Sequence, residues 1–169
     1  MNDIIRLRRS VRKFTPEKID QPTLDLLLEA AMSAPSAGNQ QPWQFMVITN
    51  RQTIESLSHT GPNSKPALGA PVLIVVLADT SRERYKDYWP IDCSAATENL
   101  LLEATRLGLG SVWLGVHPVD DRKAYITNLF ALPPHIIPFS IVCVGYPEEA
   151  PLVERPSRFD ASRVHYNKW

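Results

Sequence analysis

Leu107-Gly108-Leu109-Gly110-Ser111-Val112-Trp113-Leu114-Gly115 is the stretch on which the fold class turns. Its glycines invite a dinucleotide-binding or phosphate-loop reading. Those motifs follow a strand and open a helix, because the helix N-terminus has to meet the phosphate. Here the order is reversed. Ile91 to Leu107 is the longest helical pattern in the chain. It is apolar almost all round, through Ala95, Ala96, Leu100, Leu101, Leu102, Ala104 and Leu107, as in a helix buried in a core or at a subunit interface. Gly108 is a natural C-terminal stop, and Ser111 to Val116 reads as a strand. No Gly-Lys-Ser/Thr follows. The segment is a helix stop and a tight strand entry, so the Rossmann and phosphate-loop classes drop out.

Working outward, Val72 to Ala78 is a continuous run rich in β-branched residues, as a strand buried on both faces requires. Trp43 to Thr49 and Ile137 to Gly145 supply two more strands. Helices alternate with them. Asp3 can cap a short helix carrying Ile4, Ile5 and Leu7. Asp20 caps a longer one, with Pro22 in its first turn and Leu24, Leu27, Leu28 and Ala31 on its core face. Asn50 caps a short helix bearing Ile54 and Leu57, and Asp120 caps another with Ala124, Ile126 and Leu129 inward. The residues by themselves give a mixed α/β arrangement with about four strands in one central sheet. Tyr146 to Trp169 has no core pattern, yet it ends in aromatics that a free tail would not need.

Composition narrows the function classes. The chain has 169 residues and equal numbers of basic and acidic side chains, 18 of each. That excludes a nucleic-acid binder driven by overall charge. Apolar content of 44% argues against disorder. The longest apolar run, Pro71 to Ala78, is far too short for a bilayer span, and the basic N-terminus has no apolar signal-peptide core. Cys93 and Cys143 make neither a disulfide framework nor a metal pair; both read as buried small hydrophobes. The four histidines have no metal-ligand spacing. The expectation is a cytoplasmic protein of one domain, without metal, membrane or nucleic-acid partners.

The neutral total hides an asymmetry. Arg6, Arg8, Arg9, Arg12 and Lys13 against Asp3 leave an excess of four positive charges in residues 1–13. Arg155, Arg158, Arg163 and Lys168 against Asp160 leave an excess of three in residues 155–169. Two basic ends on an acidic body make an anion site if they converge, and two solvated tails if they do not. Within Arg8-Arg9-Ser10-Val11-Arg12-Lys13-Phe14, guanidinium forks and a serine hydroxyl suit a phosphate; a plain basic helix end is the alternative. In Pro35-Ser36-Ala37-Gly38-Asn39-Gln40-Gln41-Pro42-Trp43, small residues admit a flat ligand and the amides of Asn39 and Gln40 offer hydrogen bonds; a turn-rich connection is the alternative.

These two segments, with Gly108 to Gly115 and with Val144-Gly145-Tyr146-Pro147 followed by Arg158, together resemble the nitroreductase family of flavin mononucleotide (FMN) enzymes, in that family's order and spacing. The resemblance implies an α+β fold: a central, mostly antiparallel sheet flanked by helices, in an intertwined homodimer. Residues 146–169 would wrap the partner. Two FMN sites would lie at the interface, each built from both chains. Arg8, Arg9 and Ser10 match the positions that bind the flavin phosphate and ribityl chain, and Arg12 the basic residue at the pyrimidine edge of the ring. Pro35, Ser36, Ala37 and Asn39 match the loop given by the other subunit. Trp113, Leu114 and Gly115 match the strand facing the reactive central ring. Arg158 matches the residue closing on the phosphate, Arg155 is a weaker candidate, and Lys65 lies in a loop that often adds a basic contact. The implied activity passes a hydride from NADH or NADPH through the flavin to an electron-poor acceptor such as a nitroaromatic or quinone. No catalytic side chain is named. Alternatives are a non-catalytic flavin-binding or redox-sensing protein, and another flavin reaction on the same fold, such as reductive dehalogenation or flavin fragmentation. The chain is short for the family: only Thr80 to Pro90 stands where longer members place an excursion over the site.

Overall fold

β2 (Val72–Asp79) has seven successive buried residues, which obliges it to lie between two strands and between two layers. In the computed structural model, which describes residues 3–149 and 156–169, it does both. It pairs with β1 (Trp43–Ile48) on one side and β4 (Ile136–Gly145) on the other; β3 (Gly110–Gly115) closes the far edge against β4. The sheet order is β1-β2-β4-β3, and every one of these pairings is antiparallel. This is the fold the resemblance implies.

Side-chain alternation along β2 divides the core in two. Val72, Ile74, Val76 and Ala78 pack beneath α2 (Gln21–Met32) and α4 (Trp89–Arg106), with Leu27, Ala96 and Leu100. Leu73, Val75 and Leu77 point the other way, toward Ile54 and Leu57 of α3 (Arg51–Leu57) and Ile126 of α5 (Asp120–Phe130). In β4, Ile141 and Cys143 belong to the second layer and Val142 and Val144 to the first. Phe139 breaks the alternation. Val76 opposes Ser140 and Leu77 opposes Pro138, so Phe139 is the extra residue of a bulge that turns it into the first layer. Truncating Ile74 or Ile141 to alanine would cost on the order of 2–5 kcal/mol.

The helix starts follow the sequence with two exceptions. Asp3 caps α1 (Ile4–Leu7), Asp20 caps α2 and Asn50 caps α3, each carboxylate or amide oxygen accepting a first-turn N–H. The long helix begins at Trp89, two residues before the expected start. Asp120 is inside α5; Val119 is its N-cap and brings no side-chain bond. Asp120 instead pairs with Lys123 at 2.7 Å, which holds its carboxyl below the usual range. Ala124 and Leu129, expected inward, are exposed, and Ile126 alone of the three is buried. Tyr125 and Phe130 do the remaining packing.

The N-terminal segment runs in extended form across the end of the sheet. Val11 N–H donates to the Ser111 carbonyl at 2.9 Å, and Phe14 bridges Pro147. Gly110 and Gly145 face each other in the β3–β4 register and make this approach feasible. A Cβ on Gly110 would lie 2.7 Å from Val11, and one on Gly145 2.9 Å from Phe14. Residues 156–169 are exposed throughout, Phe159 at 78% and Trp169 at 98%. Among the described residues no helix is long and apolar enough to cross a membrane.

Candidate functional site

Pinning Val11 against Gly110 sets the side chain of its neighbour. Arg12 lies over the exit of β3 and lines a cleft of about 620 Å³ with Trp113, Leu114 and Gly115. The opposite wall is the loop Pro62–Pro66, which brings Asn63 and Lys65. Arg122, from the first turn of α5, closes the end and donates to the Gly115 carbonyl at 2.7 Å. Arg12, Lys65 and Arg122 give the cleft three cations, and no carboxylate lines it. Gly115 is exposed, with open space where a Cβ would be.

A second, smaller cavity of about 290 Å³ lies where the two chain ends meet. Ile5, Arg6 and Arg8 come from the N-terminal side, Pro156, Ser157 and Arg158 from the tail, and Glu98 from α4. The structure thus brings Arg8 and Arg158 together across 150 residues of sequence, the convergence that the charge asymmetry raised. Arg8 is already engaged there, its Nε 3.3 Å from Glu98. Arg9 and Ser10 do not line this cavity: Arg9 is half-buried, and Ser10 is exposed and bridges Ser111. Arg155 lies outside the described residues.

The loop expected to reach a second subunit lines neither cavity. Pro35 and Asn39 are exposed, and Ser36 and Ala37 are half-buried. Ser36 Oγ accepts from Gln41 N–H at 3.0 Å, and Asn39 Oδ1 accepts from the Gln41 amide at 3.2 Å. Ala37 N–H donates to Asp92 at 2.9 Å. Gln40, whose amide the sequence offered to a ligand, is buried instead and spends that amide inside the protein.

Behind β3, His117 lies edge-on to Trp89 at 4.6 Å between ring centres and near-parallel to Phe139. Burial lowers its pKa below the ordinary value, Lys123 adds to that and Asp120 opposes it. The thiols of Cys93 and Cys143 are fully buried, and burial pushes both pKa values up to about 12, with Asp92 contributing at Cys93. Neither can serve as a nucleophile near neutral pH. Among the described residues no group of three or more metal-ligating side chains gathers.

A sequence model of the nitroreductase family matches residues 5–61 and 55–146, which together run through both walls of the cleft. The chain belongs to the nitroreductase family. A relative from Methanothermobacter thermautotrophicus, provisionally named an NADH dehydrogenase/NAD(P)H nitroreductase, is 42% identical over 99% of this chain and 86% of its own length. A crystal structure from Clostridium acetobutylicum, provisionally named an NADH oxidase, superposes with a TM-score of 0.95 at 43% identity, covering 99% of this chain and 100% of that one. A Desulfovibrio desulfuricans nitroreductase-like structure, determined in complex with FMN, superposes with a TM-score of 0.85 at 29% identity, over 98% and 95% of the two chains.

Asn63 and Arg122 of this nitroreductase-family cleft escaped the sequence reading. Arg122 did leave a signal. A cation in the first turn of a helix opposes the macrodipole, so it calls for another task. Asn63 sits in a loop of turn residues and leaves none.

Proposed function

We propose that this chain is an FMN-dependent NAD(P)H oxidoreductase working as a homodimer, with residues 146–169 wrapped on the partner and the whole chain acting as one FMN-binding unit. The carrying observation is the cleft at the β3 exit: about 620 Å³, three cations, no carboxylate, and an exposed glycine on its floor. That donor set fits FMN, whose ring becomes electron-rich on reduction and whose phosphate is anionic. When bound, FMN supplies two-electron redox chemistry between NADH or NADPH and an electron-poor acceptor such as a nitroaromatic or quinone.

The chain's residues do the holding and the tuning. Arg12 and Lys65 present positive charge at the edge of the cleft, which favours the reduced ring and raises its potential. Trp113, Leu114 and Gly115 give a rigid strand edge against which a flat ring rests. Arg122 fixes the Gly115 carbonyl. Arg8 and Arg158, with Arg9, Ser10 and Arg155 nearby in sequence, are assigned to the phosphate and ribityl chain. Pro35, Ser36, Ala37 and Asn39 are assigned to the FMN site of the second copy.

The purified protein should be yellow, or become so on adding FMN. Anaerobic mixing with NADH and then NADPH should bleach that colour, and para-benzoquinone should restore it. Bound flavin that neither nicotinamide bleaches would replace this reading with a flavin-binding sensor. No flavin binding at all would end it.

A further inference from the structure

Asp92 is a charged side chain only 3% exposed, and its carboxylate reaches out of its own helix to the 36–41 loop. One carboxylate oxygen accepts from Ala37 N–H at 2.9 Å, the other from Gln40 Nε2 at 2.7 Å. Gln40 then passes the connection on. Its Oε1 accepts from Arg84 N–H at 3.0 Å and Tyr85 N–H at 3.1 Å. These hydrogen bonds tie together three parts of the chain: the 36–41 loop, the start of α4, and the 80–88 segment. A buried carboxylate is costly unless its lone pairs are satisfied, so this chain of bonds tolerates few alternative arrangements.

Its product is the placement of one ring. Tyr85 lies against Gly38, where a Cβ would come within 2.9 Å of Tyr85 Cδ2 and closer still to Cε2, and where φ is +53°. The positive φ is what calls for glycine there. Tyr85 and Tyr88 meet edge to face at 6.4 Å, yet they are 54% and 50% exposed. Gln40 holds the Tyr85 backbone, and the Tyr88 carbonyl accepts from Ile91 and Asp92 N–H at the start of α4, while both ring faces stay open. Half-exposed aromatics on so firmly tied a segment form a wall for a flat ligand.

We propose that Gln40, backed by Asp92, is a positioning residue that holds Tyr85 and Tyr88 as the wall against which planar quinone or nitroaromatic acceptors rest. This depends on the proposed function, which puts the 36–41 loop beside the FMN of the second copy. It adds a specificity device to the short 80–88 segment, which has no room for a separate lid.

The geometry supplies its own control. Gln40→Glu sets two carboxylates face to face, and Asp92→Asn sets two amide NH2 groups face to face. The double variant restores every bond. Its new asparagine accepts from Ala37 and donates to the new glutamate, whose other oxygen accepts from Arg84 and Tyr85. With FMN-loaded dimer and para-benzoquinone as the probe, each single variant should raise KM about tenfold, leaving the anaerobic bleaching rate with nicotinamide within about twofold. The double variant should return KM to within about twofold of the parent. Tyr85→Leu, a surface change, should raise KM like the single variants, and it decides the matter if they do not fold. Unchanged KM in the folded variants, or a rise the double variant fails to reverse, overturns the proposal. A parent protein that binds no FMN removes the underlying reading instead, and absorbance reveals that before any kinetics.

Discussion

The cleft at the β3 exit and the cavity between the chain ends are both lined by arginines, but their charges are in different states. In the cleft, Arg12, Lys65 and Arg122 stand with no carboxylate among the lining residues. In the cavity, Arg8 is paired with Glu98 at 3.3 Å and Arg6 with Asp3 at 3.3 Å, which leaves Arg158 as the arginine there with no acidic partner among the described residues. Excess charge counted along a sequence says how many cations a segment owns, whereas affinity depends on how many are uncommitted. Under the proposed function, the cleft receives the electron-rich ring, and the cavity receives an anion that must compete with a resident acid.

Replacing Arg12 with alanine should produce the largest effect. Losing an unopposed charge-assisted contact should weaken FMN binding by roughly thirty- to a hundredfold, and riboflavin to the same degree, because the contact is with the ring. Fluorescence titration of both ligands measures this. If riboflavin is spared, the cleft holds the phosphate and the two regions have exchanged roles.

Arg158→Ala comes next. It should weaken FMN by about tenfold and leave riboflavin within about twofold, since riboflavin lacks the phosphate. Equal weakening of both would mean that Arg158 acts through folding or assembly. Glu98→Gln sharpens the contrast in the other direction. Freeing Arg8 from an exposed pair should tighten FMN by about two- to fivefold at low salt, and the gain should fade as ionic strength rises. Tightening of riboflavin as well would show that Glu98 acts outside the cavity.

His117 gives the smallest effect, and it concerns the support of the cleft rather than its lining. Its folded pKa lies below the unfolded value of about 6.5, so the unfolded chain takes the proton first as the pH falls. Stability is then full above that value and declines as pH drops from it toward the folded pKa. His117→Gln should flatten this decline. Urea denaturation at pH 7 and pH 5 should show parent and variant differing in slope by less than about 1 kcal/mol over that interval. A parent that gains stability on acidification contradicts the sign.

Much of the fold was legible because it rests on local signals. Val72–Ala78 has to be a two-sided strand, and Asp3, Asp20 and Asn50 mark helix starts with side chains of fixed reach. Reversed glycine order at Gly108–Gly115 excluded the competing folds. Other features arise only from packing. The bulge at Phe139 depends on how β2 and β4 align, which no single strand encodes. On α5 a wide apolar face was read from three residues, but the sheet offers room for Ile126 alone among them. Within the candidate site, Arg8, Arg12 and Arg158 were readable as basic residues suited to an anion, while the Trp113–Gly115 strand edge entered only through the family resemblance. Gln40 was misread, because an amide in a loop of small residues looks available until Asp92, 52 positions later, comes to meet it.

The two cysteines have a practical consequence. Cys93 and Cys143 are both sealed in the core, with thiols that stay protonated far above neutral pH. Maleimide and nitroxide reagents therefore have no native target on the folded protein. A single cysteine placed on the exposed tail, at Ser157 or Ser162, carries a spin label or fluorophore with no background mutations. In the proposed homodimer, two such labels give an interprobe distance that tests whether the tail lies over its neighbour.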